Sequence, residues 1–149
     1  MRGCAWFGFG PAATSCYVPI YTGTTVVPER WSATDLARGD LSRPFWTMTL
    51  PGELAATRWQ TAFPDLAKVR SGAEAAFLGG EDALAGRVPA EADGGAALLN
   101  ALTAARMAAA EDAFVALGAY LRVSCLTEIA DRVDISLPVV VVPALSDFP

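Results

Sequence analysis

A leucine-led stripe between residues 98 and 121 constrains this chain more than any other feature. Leu98, Leu102, Met107, Phe114, Leu117 and Leu121 recur with a period near 3.6 along that stretch, which predicts one long helix with an apolar face. Asn100, Thr103, Arg106, Glu111 and Asp112 fall on the other faces of that helix in this reading. The flank "AARMAAAEDA" is narrow enough for a neighbouring helix or sheet to approach closely. Alanine also explains much of the 53% hydrophobic content, and in this setting it signals helix. The longest apolar runs, 96–105 and 135–145, are shorter than the roughly 18 residues that span a bilayer, and Pro138 and Pro143 interrupt the second. The expectation is a chain without a transmembrane segment.

The rest of the chain is read around this helix. Residues 4–9 and 14–22 are rich in aromatic and β-branched side chains, and "GFGPAA" between them supplies turn chemistry, so a β-hairpin is expected. Pro19 cannot donate to a ladder and places its strand at an edge or a bulge. Residues 22–44 carry Pro28, Gly39 and Pro44 and read as an irregular crossing, with Ser32 and Asp35 as caps for short helical turns. Helix is expected from Phe45: Leu50, Leu54 and Trp59 on one face, then Leu66, Val69, Ala73 and Phe77, with Pro51 in a first turn. Pro64 requires a kink or two consecutive helices, with Asp65 in the new first turn. Residues 78–95 read as a Gly-rich connector. The four valines between Pro138 and Pro143 favour a short buried strand or an extended tail. The fold class is therefore α+β: an N-terminal hairpin, long helices and a C-terminal strand, with residues 1–149 as one unit.

Charge and residue types exclude several functions. A net charge of -5 and a pI near 4.6, with Lys68 the only lysine and the arginines scattered, argue against a nucleic-acid partner. Histidine is absent, which removes Ser-His-Asp and Cys-His pairs and His-containing zinc sites. Cys4, Cys16 and Cys125 lack C-x-x-C spacing and are expected to be small buried hydrophobes. Their odd number suits reduced thiols in a cytoplasm. The glycine stretches match no dinucleotide or phosphate loop, and the pairs Glu81–Asp82 and Glu111–Asp112 point to different faces. No metal or cofactor is implied. One nucleophile chemistry survives without histidine: attack by an N-terminal Cys, Ser or Thr, with the free α-amine as base. Cys4 would serve in that way only after removal of Met1 to Gly3.

Two stretches carry a resemblance: "WFGFGPAATSCYVPIYTGTTVVPERW" and "RPFWTMTLPGELAATRWQTAFPDLAKVRSGAEAAF". They are similar to the C-terminal third of dipeptidase A-type enzymes, the cysteine dipeptidases of the N-terminal-nucleophile superfamily. The matching positions are Trp6, Phe7, Gly8, Thr14, Ser15, Cys16, Tyr17, Pro19, Tyr21, Gly23, Val27, Pro28, Trp46, Leu54, Ala55, Arg58, Trp59 and Glu74. The likeness covers residues 4 to about 80, continues more loosely to "ALGAYL" at 116–121, and fails over 122–149, a divergent tail.

The resemblance implies a four-layer αββα sandwich, of which this chain would be a part, and hydrolysis of dipeptide amide bonds through a thiolate that this stretch does not carry. No catalytic residue is assigned here. Tyr17, Tyr21 and Trp46 are the candidates for a pocket wall. The implied partners are a dipeptide substrate in the whole enzyme and either an N-terminal half or a second copy of the chain. The alternative is a non-catalytic interaction or scaffold module that pairs through exposed strands.

Overall fold

The computed structural model describes residues 3–32, 37–80 and 92–134. Among the described residues six elements follow in order: β1 (Cys4–Phe7), β2 (Val18–Tyr21), α1 (Glu29–Ser32), α2 (Pro44–Thr57), α3 (Trp59–Gly79) and α4 (Ala92–Val133). The architecture is α+β, an antiparallel hairpin followed by helices.

The strands pair in the register Cys4↔Tyr21, Ala5↔Ile20, Trp6↔Pro19 and Phe7↔Val18. The Thr22 N–H donates to Gly3 O at 2.9 Å. Hydrogen-bonded and non-bonded pairs alternate along an antiparallel ladder, so Pro19 opposes Trp6 at a non-bonded pair and its missing N–H costs no bond to β1. The strands are shorter than expected because residues 8–17 form a packed loop. The Thr14 and Ser15 N–H groups both donate to Pro11 O at 3.0 Å. After β2 the chain turns at Gly23, whose φ of 105° is open to glycine and strained for other residues. There the Thr24 N–H donates to Tyr21 O at 3.0 Å.

Pro44 occupies the first turn of α2, where its missing N–H is harmless. Pro51 is instead buried inside the helix, and the inward face is Pro44, Thr47, Met48, Pro51, Gly52 and Ala55. Leu50 and Leu54 are half-buried beside that face, and Trp59 is 44% exposed. The break between helices falls at Arg58, not at Pro64. Arg58 leaves helical geometry at φ −143°, ψ 50°. Its N–H closes α2 on Ala55 O and its carbonyl accepts from Thr61 and Ala62 to open α3. Across the chain, its guanidinium lies 2.7 Å from Glu128 Oε2 and donates to Ser124 Oγ at 3.3 Å. Pro64 lies within α3 on its exposed side. Asp65 is consequently in the second turn, and it accepts the Tyr120 hydroxyl rather than capping a helix. Leu66, Val69, Ala73 and Phe77 are all buried, as their spacing predicts.

α4 runs for 42 residues, longer at both ends than its leucine stripe indicates. Residues 122–133, placed in the divergent tail by sequence, continue this helix until Asp134, whose φ of 55° ends it. α3 and α4 likewise take up the ends of the expected connector; residues 81–91 and the valines 139–142 lie outside the described residues. Gly95–Val133 is long and apolar enough to cross a bilayer by length and composition alone. The separate apolar runs of the sequence do not convey this. The helix spans both parts of the core. Met107, Ala110 and Phe114 join Cys16, Val18, Trp31, Met48, Ala73 and Phe77, while Leu117 and Leu121 join Ala55, Ala62, Leu66 and Val69.

Candidate functional site

Three of the polar residues expected on outer faces of α4 are buried: Thr103, Arg106 and Glu111. The cause is β2 and the segment after it, which lie along that face with Phe77 of α3 and supply partners to its polar groups. Asn100 Oδ1 accepts the Thr25 and Val26 N–H groups at 2.8 and 3.1 Å. Thr103 and Thr24 hydroxyls meet at 3.1 Å. The Arg106 guanidinium covers the rings of Tyr21 and Phe77, at 5.3 and 5.8 Å from their centres. Glu111 accepts Arg30 at 2.6 Å and the Trp31 indole N–H. Burial still holds its carboxyl above the ordinary value of 4.5, because desolvation outweighs the attraction of the half-exposed Arg30. Adjacent Asp112 is exposed, so the two carboxylates do point apart.

The loop 8–17 is fastened to α3 by charged side chains. The Tyr17 N–H donates to Glu74 Oε1 at 2.9 Å, and Arg70 Nη1 donates to Ala13 O at 2.6 Å. Ser15 Oγ lies 2.6 Å from Phe9 O and 2.8 Å from Pro11 O. Cys16 is enclosed here, and burial first, then the Glu74 carboxylate, push its thiol up to about 12. That sulfur is protonated at neutral pH and is a poor nucleophile. Cys4 is exposed on β1 and Cys125 is half-buried on α4, so only Cys16 is the buried small hydrophobe expected of all three.

The pocket-wall candidates occupy separate settings. Tyr17 is half-buried, with its backbone committed to Glu74. Tyr21 is 5% exposed, its ring beneath Arg106. Trp46 stands edge-on to Phe45 at 5.1 Å, which meets Phe9 at 5.6 Å, which in turn meets Trp31 at 5.2 Å. Its Nε1 is enclosed and has no hydrogen-bond partner among the described residues. An apolar groove of about 160 Å³ lies elsewhere, between α2 and α4, and includes none of the three. Leu41, Leu50, Phe114, Val115 and Gly118 line it, with Thr47 and Arg122 as its polar groups. The Thr47 hydroxyl is turned to the Pro44 carbonyl. Among the described residues that line it, the groove offers one cation, Arg122, beside apolar surface. The sequence signal for it is the spacing of Val115, Gly118 and Arg122 on one helix face.

Among the described residues no group of three or more His, Cys, Asp or Glu side chains gathers to hold a metal ion. No protein-family model, curated protein or solved structure matches the chain.

Proposed function

We propose that this chain is the C-terminal part of a cysteine-type dipeptidase of the N-terminal-nucleophile superfamily, supplying scaffold to a sandwich whose reacting thiolate lies on other polypeptide. The observation that carries the reading is the state of β1. All four residues of Cys4–Phe7 are exposed, with Trp6 at 36% and Phe7 at 41%, whereas Val18, Pro19 and Tyr21 of β2 are buried. An aromatic strand without lysine, proline or bulge on its outer edge is suited to a wider sheet. The hydrogen bond from Tyr17 to Glu74 adds support, since it joins the two stretches that carry the resemblance. In this reading Cys16 packs, and hydrolysis proceeds by acyl transfer to the external thiolate followed by attack of water.

The exposed edge of β1 equally favours a second reading, a non-catalytic module that captures a strand of another protein. Assaying dipeptide hydrolysis by the purified chain, alone and mixed with an N-terminal fragment of a dipeptidase, separates the two. The expected result is no turnover alone, with turnover and co-elution on size exclusion in the mixture. Turnover by the chain alone would overturn the incomplete-enzyme reading. A mixture that neither co-elutes nor turns over would overturn the dipeptidase reading.

A further inference from the structure

We propose that the groove between α2 and α4 binds a small monocarboxylate with a medium-length apolar tail, its carboxylate held by Arg122. This does not depend on the dipeptidase reading. Leu41 and Val115 line the groove and are exposed, Leu50 is half-buried, and Phe114 is fully buried there. Apolar surface in a concave site gains free energy when the apolar part of a ligand displaces water from it. Gly118 helps to keep the groove open. A methyl group at that position would stand 3.7 Å from Leu50 Cδ2 and from Pro51 Cγ, in ordinary contact, so the packing of α2 on α4 does not demand glycine. Glycine weakens a helix interior, and what it leaves here is room beside the groove's cation. Helical side chains lean toward the N-terminus of their helix, which carries Arg122 back toward Gly118, one turn earlier.

Charge and length define the ligand. Arg30, Arg43 and Arg58 each meet a carboxylate, whereas Arg122 makes no ion pair or hydrogen bond among the described residues. Acids beside the lining residues are engaged or turned away. Asp40, next to Leu41, accepts the Ser42 N–H at 2.9 Å and lies 3.8 Å from Arg43. Glu111, one turn before Val115, accepts Arg30, and Glu128 is held by Arg58. Exposed Glu53 stands about 120° around α2 from Thr47, on the outer side of that helix. The planar guanidinium of Arg122 matches the two oxygens of one carboxylate. At a rise of about 1.5 Å per residue, Arg122 stands about 10 Å along α4 from Val115, the length of an extended chain of about eight carbons. The groove's volume of about 160 Å³ is near that of a cavity that takes benzene, about 150 Å³, so one such tail fills it. An exposed ion pair is weak alone, and so is an open groove, which makes the ligand depend on both of its parts.

Isothermal titration of the whole chain with octanoate, below the concentration at which it forms micelles, tests this. One molecule per chain is expected to bind saturably, with octanol and acetate, which each lack one part of the ligand, about tenfold weaker or more. Arg122→Glu should weaken octanoate about tenfold or more and leave octanol unchanged, because it removes only the partner of the carboxylate. Arg122→Lys, which keeps the charge without the planar fork, should fall between. Gly118→Leu, which fills the groove, should abolish binding with the helical circular dichroism unchanged. Arg122 is exposed, so its variants decide the question even where Gly118→Leu does not fold. Absence of saturable octanoate binding would overturn the proposal, as would octanol binding as tightly as octanoate or octanoate binding indifferent to Arg122→Glu. Binding that survives Gly118→Leu in a folded chain would also overturn it, placing the ligand elsewhere, for instance on exposed Leu126 and Ile129.

Discussion

Glu111 is where a single residue shows most about this chain. Its carboxylate is buried on α4 and meets a half-exposed guanidinium, Arg30, and an indole N–H. Because its pKa is raised in the folded state, the native chain holds this proton more tightly than the unfolded one. The residue's contribution to stability is therefore fullest below 4.5 and falls as pH rises through the raised value. Removing Arg30 raises the carboxyl further. Arg30→Ala is expected to cost about 1–2 kcal/mol at neutral pH, the penalty of a buried acceptor losing a charged donor, and close to nothing once the carboxyl is protonated in both states. Denaturant midpoints for the variant and the parent chain on either side of that window check this. An equal cost in acid would mean that Arg30 acts through packing alone. Glu111→Gln, which keeps an acceptor without the charge, should flatten the parent chain's dependence over the same range.

At the scale of elements, contact between the hairpin loop and α2 depends on Gly52. A methyl group there would lie 2.7 Å from Thr14 Oγ1 and 2.8 Å from Thr14 Cβ, inside contact distance of atoms the loop holds in place. Alanine is worth up to about 1 kcal/mol over glycine in a helix interior, while overpacking of this kind typically costs about 1–3 kcal/mol. Gly52→Ala is therefore expected to destabilise by about 1 kcal/mol despite its better helix propensity, read from thermal or denaturant unfolding. A stabilised variant would show that loop and helix separate easily. The same comparison of magnitudes explains the two prolines. Each removes one helix hydrogen bond, yet Pro51 is buried beside Gly118 of α4 and Pro64 stands at an exposed position, and both helices run through.

For the whole molecule, α4 is the common wall of both core clusters. Phe114 is fully buried where hairpin, α2 and α4 meet, one turn from Leu117 in the other cluster. Phe114→Ala should cost about 3–5 kcal/mol and lower the stability of both clusters together in one transition. Circular dichroism and tryptophan fluorescence followed through the same denaturant titration would report this, since Trp31 belongs to the first cluster and much of the helix to the second. Separate midpoints would mean that the two clusters unfold independently.

The class and much of the core are legible in the order of residues alone: the hairpin, the helical region after residue 44, the buried row from Leu66 to Phe77, and the apolar face around Phe114, Leu117 and Leu121. These follow from local periodicity and turn chemistry, which every stretch of chain carries within itself. Tertiary structure decided the rest. Arg58, rather than a proline, separates α2 from α3 because its side chain finds Glu128 and Ser124 about seventy residues later. Thr103, Arg106 and Glu111 have the composition of a solvated face, and they are buried because Thr24, Tyr21 and Arg30 arrive from the other end of the chain to meet them. Tyr17, Tyr21 and Trp46 are aromatic enough for a pocket wall, but whether they share one depends on which rings and charges cover them. A buried polar group is stable only with its partner in place, and periodicity carries no record of partners so distant along the chain.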